Sequence, residues 1–266
     1  TPRRPQRTTL SKPIISVVFP HIDEATRNPE VRRARGSDMD TDLLSMRWRD
    51  GVFAHWRADP AVVARHLPDS VEVATHDGDA WLGVVPFVME DIRPRGSPVG
   101  RSFPEVNLRT YVTRDGTSGV YFFSLDADDR LSVSIARSLY ALPYYRARMH
   151  VDRDGDRLRL RSERDHAGEP RARLDLSYER VDGEASVPEA DSLSAFLTEN
   201  YRFFTRGTHL YRGDIAHEPW RLAPADATVH EESLFRAAGF EPPSGDPLVH
   251  VAAPLDVTAG TLTRVG

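Results

Sequence analysis

The run Glu105-Val106-Asn107-Leu108-Arg109-Thr110-Tyr111-Val112 carries residue types from which acid–base chemistry is built. In an extended strand alternate side chains share a face. Glu105, Asn107, Arg109 and Tyr111 then lie on one side, and Val106, Leu108, Thr110 and Val112 on the other. A carboxyl gives or takes a proton, and a guanidinium holds an anion through paired N–H bonds. A second constellation, Tyr144-Tyr145-Arg146 with Arg148, sets phenols beside carboxylate anchors. Glu105 and Tyr144 are the candidate catalytic pair. Asn107, Arg109, Tyr121, Tyr145 and Arg146 are the candidate substrate-binding residues.

Each constellation also has a plainer reading: a half-exposed strand with a Glu–Arg pair in solvent, and aromatic–arginine stacking on an open sheet. The neighbouring run Tyr121-Phe122-Phe123-Ser124-Leu125-Asp126 is apolar on both faces for most of its length, which favours a covered sheet. There the polar row would line a closed, wet cavity, and its charges would need partners or a ligand.

What the chain lacks narrows the chemistry. Its 266 residues contain no cysteine, which excludes disulfides, thiolate metal sites and cysteine nucleophiles. It contains no P-loop, G-x-G-x-x-G or G-x-S-x-G motif. His217-Glu218 and His230-Glu231 each begin an H-E pair, but neither continues to a second histidine four residues on, and no metal or cofactor is expected. Of 35 basic residues only Lys12 is lysine, so the chain is nearly devoid of amines.

Net charge is −5, unevenly spread: residues 1–36 carry +5 and the remainder −10. The division expected is a basic arm over residues 1–40 and one domain over residues 41–266. The arm has neither interleaved aromatics nor a helical basic stripe, so it is expected to cover acidic surface on its own or a neighbouring chain. A small-molecule ligand is therefore the expected partner, with no nucleic acid or membrane, and with a homodimer left open. No apolar run approaches the roughly 20 residues of a membrane helix, and a cytoplasmic location is expected.

The positioning elements read as short strands. Alternation predicts strands over residues 47–57, 71–74, 80–89, 105–113, 119–126, 131–134, 171–180, 209–215 and 248–252. A hairpin over 144–151 and 157–163 turns at Asp154-Gly155. Helices are expected after Asp59-Pro60 as far as Leu67, over 192–203 with Asp191 as cap, and over 231–238. The Pro- and Gly-rich stretch 91–103 reads as a loop at a cavity mouth. Many strands with few helices predict a mainly β, antiparallel barrel or sandwich.

The runs W-R-D-G-V-F-A-H-W (48–56), L-P-D-S-V-E-V (67–73), V-V-P-F-V-M (84–89), R-P-R-G (93–96), F-P-E-V-N-L-R-T-Y-V (103–112), G-V-Y-F-F-S-L-D (119–126), L-P-Y-Y-R-A-R-M (142–149) and L-Y-R-G-D-I-A-H-E-P-W (210–220) resemble the YqjF-like family of unknown function, grouped with the acetoacetate decarboxylase-like superfamily. The resemblance covers roughly residues 43–265. It implies a cone-shaped antiparallel β-barrel with a few flanking helices and an interior cavity. In the decarboxylase a lysine pair after Phe-Pro builds and tunes a Schiff base. The similar stretch here is Leu142-Pro143-Tyr144-Tyr145, with tyrosines where the lysines would be. The resemblance also matches Glu105 to the decarboxylase's active-site glutamate.

Without an amine in the barrel, imine-based decarboxylation has no nucleophile. Three readings remain: a lyase-, isomerase- or hydratase-like acid–base enzyme acting on a small carboxylate or carbonyl compound, a binding or sensor module without turnover, and a structural protein.

Overall fold

The computed structural model describes residues 42–181 and 183–266. The expected arm over 1–40, including Lys12, lies outside the described residues. The chain opens with strands β1 (Leu44–Arg49) and β2 (Gly51–Ala58), which run in the same direction along successive halves of the strand Ala80–Pro94 and are separated by an irregularity at Asp50, whose φ is 54°. Helix α1 (Pro60–Ala64) starts where expected, with Asp59 accepting from the Ala61 N–H at 2.8 Å, and stops short of Leu67. Strands β3 (Glu72–Val73), β4 (Ala80–Pro94), β5 (Arg101–Arg114) and β6 (Thr117–Ala127) follow. Since β4 and β5 are long, the expected loop shrinks to residues 95–100.

Helix α2 (Arg130–Tyr140) stands where a strand over 131–134 is expected. Leu131, Val133 and Ile135 alternate as a strand would. Asp129 decides the outcome by accepting from the Ser132 N–H at 2.7 Å, which satisfies an orphan donor of the first turn. Strands β7 (Tyr144–Asp154), β8 (Arg157–Arg164) and β9 (Arg173–Arg180) form a meander. Helix α3 (Leu193–Thr198) is capped by Ser192 rather than Asp191, and ends early because β10 (Arg202–Arg206) begins. The remainder is β11 (Leu210–His217), β12 (Leu222–Glu232), α4 (Leu234–Ala237), β13 (Leu248–Ala252), β14 (Leu255–Ala259) and β15 (Thr263–Arg264).

Strand pairing closes the sheet twice. One circuit runs β4-β1-β14-β11-β10-β6-β5 and returns to β4. The other runs β4-β2-β13-β12-β9-β8-β7-β6-β5 and returns to β4. The strands β4, β5 and β6 belong to both circuits and are covered on both faces, which explains the doubly apolar runs of β4 and β6. Pairing is antiparallel except for β6 with β10 and β6 with β7, which are parallel. The second exception is a β–α–β crossover through α2, in a sheet otherwise antiparallel, in line with the mostly antiparallel expectation.

The larger circuit is filled. Val52, Ala54, Leu82, Val84, Val106, Leu108, Leu160, Leu174, Leu176 and Phe235 form its continuous core. One ion pair is buried there: Arg164 donates to both oxygens of Asp126, at 2.7 and 3.0 Å. The smaller circuit is lined by Met46, Phe53, Val85, Phe87, Met89, Phe103, Trp220 and Ala259 around open space. Among the described residues, no helix is long and apolar enough to cross a membrane.

Candidate functional site

A cavity of about 270 Å³ occupies the smaller circuit. The side chains of β5 alternate between filled core and cavity: Val106 and Leu108 enter the core, whereas Glu105, Asn107 and Arg109 line the cavity. The polar row thus lies on the wall of a closed barrel. Arg93, Pro94 and Arg101 beside the short 95–100 loop also line the cavity, in keeping with a loop near its mouth.

Glu105 is 2% exposed, and Tyr144 donates to its Oε2 at 2.9 Å. Burial pushes the carboxyl up to about 8; the Tyr144 bond opposes this and the Asp126 charge adds to it. Near neutral pH the carboxyl is largely protonated, and Oε1 is the oxygen left to carry the proton. Burial, together with the neighbouring carboxyl, drives the Tyr144 phenol well above its ordinary range, so it stays a donor. The pair resembles an acid held neutral in an apolar setting, the state in which a carboxyl can hand a proton to a ligand.

Arg109 is anchored from behind. Its Nη2 donates to the Leu197 carbonyl at 3.1 Å, near the end of α3, where helix carbonyls lack internal partners. Its guanidinium lies 5.2 Å over the Phe53 ring and 5.6 Å over Tyr111. The Tyr111 hydroxyl donates to the same carbonyl at 2.7 Å and lies 2.6 Å from His55 Nε2. The phenol has one proton, already committed to Leu197, so His55 must donate from Nε2. Burial and the Arg109 charge lower the His55 pKa well below the ordinary range and keep the ring neutral. The ring fits because position 83 is glycine: a Cβ there would lie 2.8 Å from His55 Cδ2.

Three of the expected residues lie elsewhere. Tyr121 is carried out of the cavity by a bulge: Leu108 pairs with Ser124 but Arg109 with Phe122, which leaves Phe123 as the extra residue. The cavity face of β6 is therefore Val120, Phe122 and Leu125, and Tyr121 packs instead with Val71, Val112, Phe204 and Leu210. Tyr145 faces away from the cavity and stacks on Arg164, 4.1 Å from ring centre to guanidinium, beside the buried Asp126 pair. Arg146 binds Asp165, its Nε donating at 2.6 Å, because β7 leaves β6 at this point to pair with β8. Only the first residue of β7, Tyr144, reaches the cavity.

Sequence reasoning missed Phe53, His55, Trp220 and His217. His217 lines the cavity between Tyr201 and Trp220, with ring centres 4.6 and 5.2 Å away. Burial lowers it to about 4, and its Nδ1 is 2.7 Å from the Glu218 carbonyl, so it is a neutral ring donating from Nδ1. The one signal available was an H-E-P-W run ending in an aromatic residue.

Residues 45–256 match the family described as an uncharacterised conserved protein, family of unknown function 2071. The chain is 40% identical over 219 residues to the uncharacterised protein YqjF of Bacillus subtilis (strain 168), an alignment covering 81% of this chain and 89% of that one. The chain belongs to this YqjF-like family. Solved structures similar to this YqjF-like barrel include the enduracididine biosynthesis enzyme MppR complexed with pyruvate. That match is 13% identical with TM-score 0.61, over 87% of this chain and 93% of that chain. Acetoacetate decarboxylase from Legionella pneumophila is likewise 13% identical, with TM-score 0.57 over 85% and 88% of the two chains. The fold is acetoacetate decarboxylase-like, as the resemblance implied.

Proposed function

We propose that the cavity binds a small carboxylate or carbonyl compound and that Glu105 exchanges a proton with it, without a covalent imine. The observation that carries this reading is a fully buried carboxyl on a cavity wall, hydrogen-bonded by one phenol and, among the described residues, by no cation. A ligand carbonyl oxygen at Oε1 would accept the proton. The carboxylate left behind, stabilised by the Tyr144 hydroxyl at Oε2, would then take the α-proton to give the enol, and the reverse steps return a proton drawn from solvent. Arg109 holds the ligand's anionic end. The chain has no lysine after Lys12, so no side-chain amine lies among the described residues to form a Schiff base. The pyruvate carried by MppR in the same fold supports a small-molecule cavity here.

The test is exchange of α-protons for deuterium in a carbonyl acid that the protein binds, followed by proton NMR. The wild-type protein is expected to accelerate exchange. Glu105→Gln keeps a neutral amide beside Tyr144 and should bind with similar affinity while losing the acceleration. A binding module without turnover is the second reading, favoured by the Arg109 anchor, which needs no carboxyl to capture an anion. Ligand binding with no exchange in the wild-type protein would establish it.

A further inference from the structure

We propose that the ligand is a monocarboxylic acid with an apolar body of phenylalkyl size, its carboxylate on Arg109. The proposal rests on the binding reading above and names its substrate class. Three features of the cavity support it.

The first is charge. Four arginines line the cavity, and three already have carboxylate partners: Arg93 with Asp91 at 3.3 Å, Arg101 with Asp129, and Arg202 with Asp214 at 3.3 Å. Arg109 differs, because its partners are the Leu197 carbonyl and the Phe53 and Tyr111 rings, none of them an anion. The other titratable side chains on the wall are neutral near pH 7: Glu105 is raised to about 8, His217 is lowered to about 4, and burial raises the Tyr140 and Tyr144 phenols. Among the described residues one positive charge is left without a counter-charge, so a monoanion balances the cavity. A dianion would leave one carboxylate unpaired in apolar surroundings, and a neutral ligand would leave Arg109 uncompensated.

The second is size. An apolar cavity of roughly 150 Å³ already holds a benzene, so about 270 Å³ has room for a phenyl group with a short chain and a carboxylate. A pyruvate-sized acid would leave much of that space unfilled. The third is the wall, formed by Trp48, Phe53, Phe87, Phe122, Phe203 and Trp220. These rings meet one another at stacked, tilted and edge-on angles. Trp48 stacks on Trp220 at 5.8 Å, and Phe53 meets Trp220 edge-on at 5.0 Å. Such surfaces receive a flat apolar group and offer a short keto acid little.

The test is calorimetric titration of the full chain at pH 7 with five compounds: 3-phenylpropanoate, pyruvate, acetoacetate, phenylsuccinate and 3-phenylpropanol. The expected result is that 3-phenylpropanoate binds at least tenfold more tightly than each of the others, and that Arg109→Gln, checked for folding by circular dichroism, removes the preference over the alcohol. Pyruvate or acetoacetate binding as tightly as 3-phenylpropanoate would overturn the size argument while leaving a carboxylate-binding cavity. Phenylsuccinate or the alcohol binding as tightly would overturn the charge argument. If none of the four acids binds, both this proposal and the binding reading beneath it fall.

Discussion

Glu105 couples the stability of the protein to pH. Its carboxyl ionises near 4.5 when free and at about 8 in the barrel. Below the lower value both folded and unfolded states are protonated, and burial of this side chain carries no ionisation penalty. As pH rises towards 8 the unfolded chain releases the proton first, so stability falls, and above 8 the loss is complete. The full difference is on the order of 3–5 kcal/mol. Glu105→Gln removes this slope: thermal melts should show the variant gaining on the wild-type protein between pH 5 and pH 8, with no further gain at pH 9. Tyr144→Phe acts in the opposite sense on the titration itself. The Tyr144 hydrogen bond holds the carboxyl down, so its loss should move Glu105 above 8, read as an alkaline shift in any activity or binding profile that depends on this group.

At the level of elements, the fit of β4 against β2 depends on a missing side chain. Gly83→Ala would place a methyl 2.8 Å from the His55 ring, which cannot retreat without breaking its contact with Tyr111. Denaturant unfolding should show a loss of about 1–3 kcal/mol, with weakened anion binding because the Arg109 support is disturbed. The polar row on β5 was legible because a period of two survives any tertiary arrangement, and the doubly apolar β6 correctly indicated cover on both sides. Tyr121 was not legible, since a single bulged residue, Phe123, reverses the parity of all that precedes it, and nothing local marks Phe123 as the extra one. Tyr145 and Arg146 failed for a related reason: the point where β7 parts from β6 is set by pairing with β8, a partner later in the chain. In α2 the apolar residues Leu131, Val133 and Ile135 suggested a strand, and the Asp129 cap was the better guide.

For the whole molecule, two circuits share three strands and differ in how they are filled. The larger is packed solid and joined to the shared wall by the Asp126–Arg164 pair. Asp126→Asn would leave Arg164 buried with a neutral partner and should cost about 3–5 kcal/mol in unfolding experiments. The smaller circuit keeps its cavity, and the chain's single lysine, Lys12, lies outside the described residues. Borohydride reduction in the presence of a keto acid should therefore leave every peptide from residues 42–266 unlabelled in mass spectra. The proposed proton transfer requires Glu105 to be a neutral acid at physiological pH. Titration of its side-chain carboxyl carbon by NMR, assigned through Glu105→Gln, tests this most directly. A midpoint near 8 is the expected result, and a midpoint near 4.5 would rule out Glu105 as the proton donor.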